Sequence, residues 1–127
     1  MERTELKALY EKYDLKPSDI YKHKHYVIIT RSGVERIAIK ADIAVTYDVI
    51  KCEKDFCVVK AIAVFNNMKL ETFGSALHGD FKSGNTNSWY VMEMAEKRAL
   101  SRAVLKATGF YQLGVFGEDE SEDFKRK

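Results

Sequence analysis

The sequence predicts an α+β fold: a three-stranded antiparallel meander, with room for an extra edge strand, packed against a long C-terminal helix and preceded by N-terminal helices. Three observations carry this. Between Ile43 and Ala76, apolar residues alternate with a period of two in three runs separated by short polar turns. From Met92 to Ala107 the period becomes helical, with Met92, Ala95, Ala99, Ala103 and Ala107 on one side. Before the meander, the stretches Glu2–Tyr13 and Ser32–Ala41 also carry helical spacing.

Leu6, Leu9, Tyr10 and Tyr13 lie three and four apart, an amphipathic helix that Asp14 and Pro17 end. A polar lead, Lys22 to His25, enters Tyr26-Val27-Ile28-Ile29-Thr30, a β-branched run suited to a strand at a sheet edge. Ser32-Gly33-Val34-Glu35 has the form of a capping box, so a helix is expected to begin there. Val34, Ile37, Ala38 and Ala41 continue it; Ile37, Ile39 and Ala41 also fit strand alternation, and helix is the preferred reading.

Ile43, Val45, Tyr47 and Val49 then point one way and their neighbours the other, which is a strand. Phe56–Phe65 is apolar on both faces apart from Lys60 and reads as the central strand. Asn66-Asn67 supplies the tight turn, because Asn tolerates positive φ, and Met68–Ala76 is the third strand. Gly79–Asn87 is a polar loop expected to be mobile. Asn87 or Ser88 can cap the last helix, and Gly109 supplies its left-handed stop. Phe110–Phe116 adds a short extended segment.

With 127 residues, 46% of them hydrophobic and 12% aromatic, the chain suits one domain, 1–117, followed by an acidic flexible tail, 118–127. Its apolar runs are short and broken by charges, so neither a membrane span nor a secretory leader is expected, and the expected location is the cytoplasm. Cys52 and Cys57 are too few for a disulfide framework and read as reduced thiols. The formal charge is +2, but the last ten residues hold five acids and three bases, leaving the body with 18 basic and 14 acidic residues. That is weak support for a polyanionic partner.

Arg98, Arg102 and Lys106 fall at i, i+4 and i+8 on the last helix, one ridge of cations, with Lys97 about 100° away. Such a ridge can follow a phosphate backbone, releasing condensed counterions, although a solvated helix face paired with Glu93 and Glu96 explains the same pattern. Phe81 and Lys82 lie in the loop, and Trp89 and Tyr90 stand at the helix entrance, where they either stack bases or anchor the helix. Lys60 and Tyr47 are candidates for the wall of the same groove. His23, His25 and His78 match no zinc spacing and read as surface histidines, and no phosphate-cradling glycine loop precedes Lys-Ser or Lys-Thr. Asp42, Asp48 and Glu71 are the only carboxylates considered for a metal-dependent nuclease, a reading given little weight. No catalytic residue, metal or cofactor is expected.

The order of elements, together with Ala95-Glu96-Lys97-Arg98-Ala99-Leu100-Ser101-Arg102-Ala103-Val104-Leu105-Lys106-Ala107-Thr108-Gly109, resembles the Rad-fifty-two-type single-strand annealing superfamily and its phage recombination relatives. Met94–Ala99 and Gly114–Glu120 also resemble small proteins of phages and mobile elements associated with that superfamily. The likeness covers Ile43–Glu120 in layout and about two dozen residues in motif. It implies a sheet backed by the long helix, assembly into rings or filaments, and single-stranded DNA along a basic groove between meander and helix. Arg102 and Lys106 match the family's phosphate contacts by their distance before Gly109; Lys97 and Arg98 extend the match. The chain departs from larger members in its size and in lacking a long basic hairpin.

The expected function is therefore a non-catalytic single-stranded DNA-binding recombination protein. Its expected site is Lys97, Arg98, Arg102, Lys106, Lys82, Lys60, Trp89 and Tyr90, its expected partners single-stranded DNA, further copies of itself, and replication or recombination proteins. The alternative is a protein-interaction module of a phage or mobile element, with its acidic end or a sheet edge as the docking surface. The five acids among residues 118–123 suggest competition with DNA for the ridge, against a plain solubilising tail.

Overall fold

The computed structural model describes residues 2–23, 26–79, 83–86 and 89–118. Its first helix, α1 (Glu2–Lys12), stops where Asp14 takes a positive φ of 57°. A 3₁₀ turn, Pro17–Asp19, leads into β1 (Ile20–His23), then β2 (Tyr26–Ile29) and α2 (Arg31–Lys40). The meander is β3 (Ala44–Cys52), β4 (Phe56–Phe65) and β5 (Met68–Leu77). α3 (Val91–Thr108) follows, then a second 3₁₀ turn, Tyr111–Leu113, and β6 (Val115–Gly117).

The α+β prediction holds: the meander is antiparallel with β4 at its centre, and α3 packs on one of its faces. Asn66 and Asn67 both take positive φ in the β4–β5 turn, and Gly109, at φ 92°, ends α3. Alternation along the strands decides the buried face. Cys57, Val59, Ala61 and Ala63 of β4 and Ala76 of β5 share a core with Val91, Ala95, Ala99 and Ala103 of α3. Small side chains let the helix come close, and Gly74 lets it come closer still. A Cβ there would collide with Ala95 O and Ala99 N, and beside it the Thr72 hydroxyl donates to Ala99 O at 2.8 Å.

Two expectations are corrected here. Tyr26–Ile29 is not an added edge of the meander but the middle of a second sheet, ordered β1-β2-β6, antiparallel to β1 and parallel to β6. β1 escaped notice because its four residues, Ile20-Tyr21-Lys22-His23, are too short and polar for alternation to register. The α2 cap is Thr30, whose Oγ1 accepts from Gly33 N at 3.1 Å, two residues ahead of the Ser32 box; Ser32 lies inside the helix.

Larger side chains fill the second core: Ile29, Val34, Ile37, Val104, Leu105, Phe110 and Val115, with Tyr10 and Tyr13 against the Phe110 ring. α3 thus serves both cores, alanines toward the meander and Val104 and Leu105 toward α2 and β6. The first acid of the expected tail is held, since Glu118 Oε1 accepts from Arg31 N at 3.1 Å at the positive end of α2. Residues 119–127, the remainder of that tail, lie outside the described residues. No helix among the described residues is long and apolar enough to cross a membrane.

Candidate nucleic-acid interface

α3 runs antiparallel to β5 and lies over β4 and β5 far more than over β3. Four helical residues advance about 6.0 Å and two strand residues about 6.8 Å, so side chains at i and i+4 of α3 meet alternate residues of β5. Arg98 and Arg102 use this match. Arg98 Nη1 donates to Ser75 O at 2.8 Å and Nη2 to Asn85 O at 2.9 Å, while Arg102 Nη1 donates to Phe73 O at 3.1 Å. The Asn85 side chain accepts from Leu77 N at 2.7 Å, and its backbone N–H donates to Leu77 O at 2.8 Å. The carbonyls of Phe73, Ser75 and Leu77 and the Leu77 N–H are therefore occupied by α3 and the loop.

This corrects the expectation of an open cationic rail. Arg98 is 3% exposed, and its guanidinium holds strand and loop together. Arg102 is partly exposed and combines an edge contact with access to solvent. Lys106 is exposed, with Nζ 5.4 Å from the centre of the Tyr111 ring. Together with Lys69 it lines a cavity of about 220 Å³ beside Phe65, Asn66 and Met68. Lys97 leaves this seam: two residues from both Ala95 and Ala99, it sits about 200° around the helix from the alanine face.

Lys60 is corrected too. It lies between Val59 and Ala61, both buried against α3, so its side chain is on the other face of the sheet, where Nζ is 3.8 Å from both Asp48 and Glu71. Asp48 and Glu71 do meet, but on a lysine. Tyr47 faces the helix side, so Tyr47 and Lys60 cannot line one groove.

The helix entrance gathers more than the sequence suggested. Trp89 is 57% exposed and stacks on His78, ring centres 3.5 Å apart and planes inclined by 16°; Lys54 Nζ lies 5.8 Å from the Trp89 ring centre. Tyr90, 72% exposed, occupies the N-cap position of α3 without a side-chain capping bond, so the expected Asn87 or Ser88 cap is replaced. Asn87 and Ser88 lie outside the described residues, as do Phe81 and Lys82. The described part of the expected mobile loop is tied down: Thr86 is fully buried and its O accepts from Gly79 N at 3.0 Å. Lys54, His78 and Asn85 were not singled out from the sequence as nucleic-acid contacts; Phe73 and Lys69, opposite Lys60 and Val64, are on the face turned away from α3, where Lys69 Nζ is 3.8 Å from Glu71. Lys54 comes from the β3–β4 turn and His78 and Asn85 from the β5–α3 connection, and the β3–β4 and β4–β5 register brings these together.

The two flanks of α3 differ in sign. Toward β3 stand Glu93 and Glu96, both exposed. Burial, then the Glu96 carboxylate, push the Tyr47 phenol above its ordinary pKa. Toward β5 stand Arg98, Arg102 and Lys106. A polyanion would be repelled along the first flank and attracted along the second.

No family model, curated protein or solved structure matches the chain.

Proposed function

We propose that this chain is a single-stranded DNA-binding protein without catalytic function that promotes strand annealing in recombination, its strand lying along the seam between α3 and the outer edge of β5. The observation that carries the reading is the alignment along that seam of an exposed aromatic pair with a lysine, Trp89, Tyr90 and Lys54, then Arg102, then Lys106. From Lys69 to Leu77 the seam runs about 27 Å, enough for the shortest single-strand sites of about four nucleotides. Aromatic faces accept any base, and the cations neutralise phosphates without reading sequence. Arg98 acts as a positioning residue that holds the loop and β5 edge in place. The resemblance of the α3 segment to the annealing superfamily supports the same reading and adds assembly of several copies into a ring or filament.

Trp89 is the one tryptophan of the chain, so its emission reports on the seam. Titration with a single-stranded oligonucleotide is expected to quench it, with an affinity that falls as salt rises. The double variant Arg102→Ala/Lys106→Ala should weaken binding and flatten the salt dependence while its circular dichroism is unchanged. Absence of quenching and of binding at low salt would rule the reading out in favour of the interaction module.

A further inference from the structure

The β3–β4 hairpin ends in two thiols that the nucleic-acid reading does not use. Cys52 and Cys57 stand directly opposite each other across the strands, and the Cys57 thiol donates to Glu53 O at 3.8 Å, beside Cys52. A bulge creates this pairing. From Ala44 opposite Val64 to Val49 opposite Val59 the partners step regularly; past Ile50 the order slips by one, so that Lys51 meets Val58 and Cys52 meets Cys57. Continuing the first register would set Cys52 opposite Phe56 and turn its side chain to the far face, because successive residues alternate. The extra residue re-aims Cys52 toward the face that Cys57 occupies.

The pair also has the spacing that disulfides bridge. Glu53 N donates to Phe56 O at 2.7 Å, which closes the hairpin and makes 52–57 the neighbouring, non-hydrogen-bonded pair. Cα atoms in such pairs are about 4.5 Å apart, within the disulfide range of about 4.4–6.8 Å. Both cysteines are free, Cys52 exposed and Cys57 buried. A reagent in solution therefore reaches Cys52 first, with Cys57 behind it as the resolving thiol.

We infer that Cys52 and Cys57 form a redox-active dithiol that closes to an intramolecular disulfide on reaction with low-molecular-weight disulfides such as oxidised glutathione. The Cys52 thiol gives its proton to water and its thiolate attacks one sulfur of the small disulfide, whose S–S bond breaks; the departing thiolate takes up a proton. Cys57 then loses its proton to water and attacks the Cys52 sulfur of the mixed disulfide, forming the Cys52–Cys57 bond and releasing the second small thiol, which is protonated in turn. Two electrons pass from the protein to the reagent, which becomes two thiols. The new bond staples the hairpin tip that carries Lys54, against the Trp89 ring, and Asp55, whose O accepts from His78 N at 2.7 Å.

The test exposes the folded chain to oxidised glutathione, alkylates the remaining thiols in denaturant, and reads intact mass and peptide maps. Both thiols are expected to disappear together into a product lacking two hydrogens and carrying no adduct, and dithiothreitol should restore them. Cys57→Ser and Cys57→Ala should each stop at a stable glutathione adduct on Cys52, whereas Cys52→Ser should stay unmodified. A native chain that accumulates the Cys52 adduct with Cys57 still alkylated, or that does not react, overturns the proposal. Circular dichroism checks that each variant is folded, and no oligonucleotide enters the measurement, so its outcome is independent of the DNA-binding reading.

Discussion

Along β5, the Phe73 and Ser75 carbonyls accept from Arg102 and Arg98, and both Leu77 backbone groups are bonded to Asn85. Along β3, residues Thr46 to Cys52 are exposed, and what interrupts the edge is the bulge at Ile50. An open strand edge templates pairing with other chains, and the two edges answer that hazard differently, one by covering and one by twisting. The contrast teaches how to weigh a basic ridge beside a sheet: its first task is to satisfy the strand next to it. What a polyanion can reach is the exposed part of the ridge, Lys106 and the partly exposed Arg102, with Lys54 at its entrance.

The largest effect is expected from closing the gap under the covered edge. Gly74→Val would push α3 off β5 and is expected to cost about 3 kcal/mol or more in urea unfolding, whereas Thr46→Val on β3 should stay within about 0.5 kcal/mol. Next, Arg98→Ala removes a buried guanidinium that donates to the Ser75 and Asn85 carbonyls and should cost about 2–3 kcal/mol. Arg102→Ala, at a partly exposed site, should cost about 1 kcal/mol or less. Equal and negligible losses for the two arginines would end the edge-cover interpretation. On the bare edge, Val49→Lys should leave the unfolding midpoint nearly unchanged and slow aggregation on warming, measured by light scattering.

The smallest effect is electrostatic. Because Tyr47 holds its proton more tightly folded than unfolded, its contribution is intact below the unfolded value near 10 and is lost as pH rises through the folded value. Stability should therefore decline in alkaline solution. Tyr47→Phe should remove part of that decline and Glu96→Gln a smaller part, since Tyr10, also raised by burial, contributes independently. Denaturant midpoints across the alkaline range check this.

The meander and α3 were legible because their signals are local and long: three alternating runs, an Asn-Asn turn, an alanine face and a glycine stop. The second sheet was not, because β1 and β6 have four and three residues and β6 joins β2 from the far end of the chain. At the candidate site, helical spacing correctly put Arg98, Arg102 and Lys106 on one ridge but carried no information about which groups that ridge faces. Arg98 lies beside the alanine face, and only the distance between helix and strand decides whether a guanidinium there reaches solvent or a carbonyl. Lys60 was misplaced because strand alternation gives two faces without saying which one the helix covers. The Trp89–His78 stack depends on the loop returning to β5, where His78 and Thr86 form a β-bridge.

The parallel pairing of β2 with β6 bears on biosynthesis. Val27, Ile28 and Ile29 emerge from the ribosome well before their partners Val115, Phe116 and Gly117, with the whole meander and α3 made in between. The meander can close on itself and receive α3 as each becomes available, while the layer built on β2 must wait until β6 has been made after both. A nascent chain stalled before Val115 should consequently protect its meander amides from hydrogen exchange while those of β2 remain open to it.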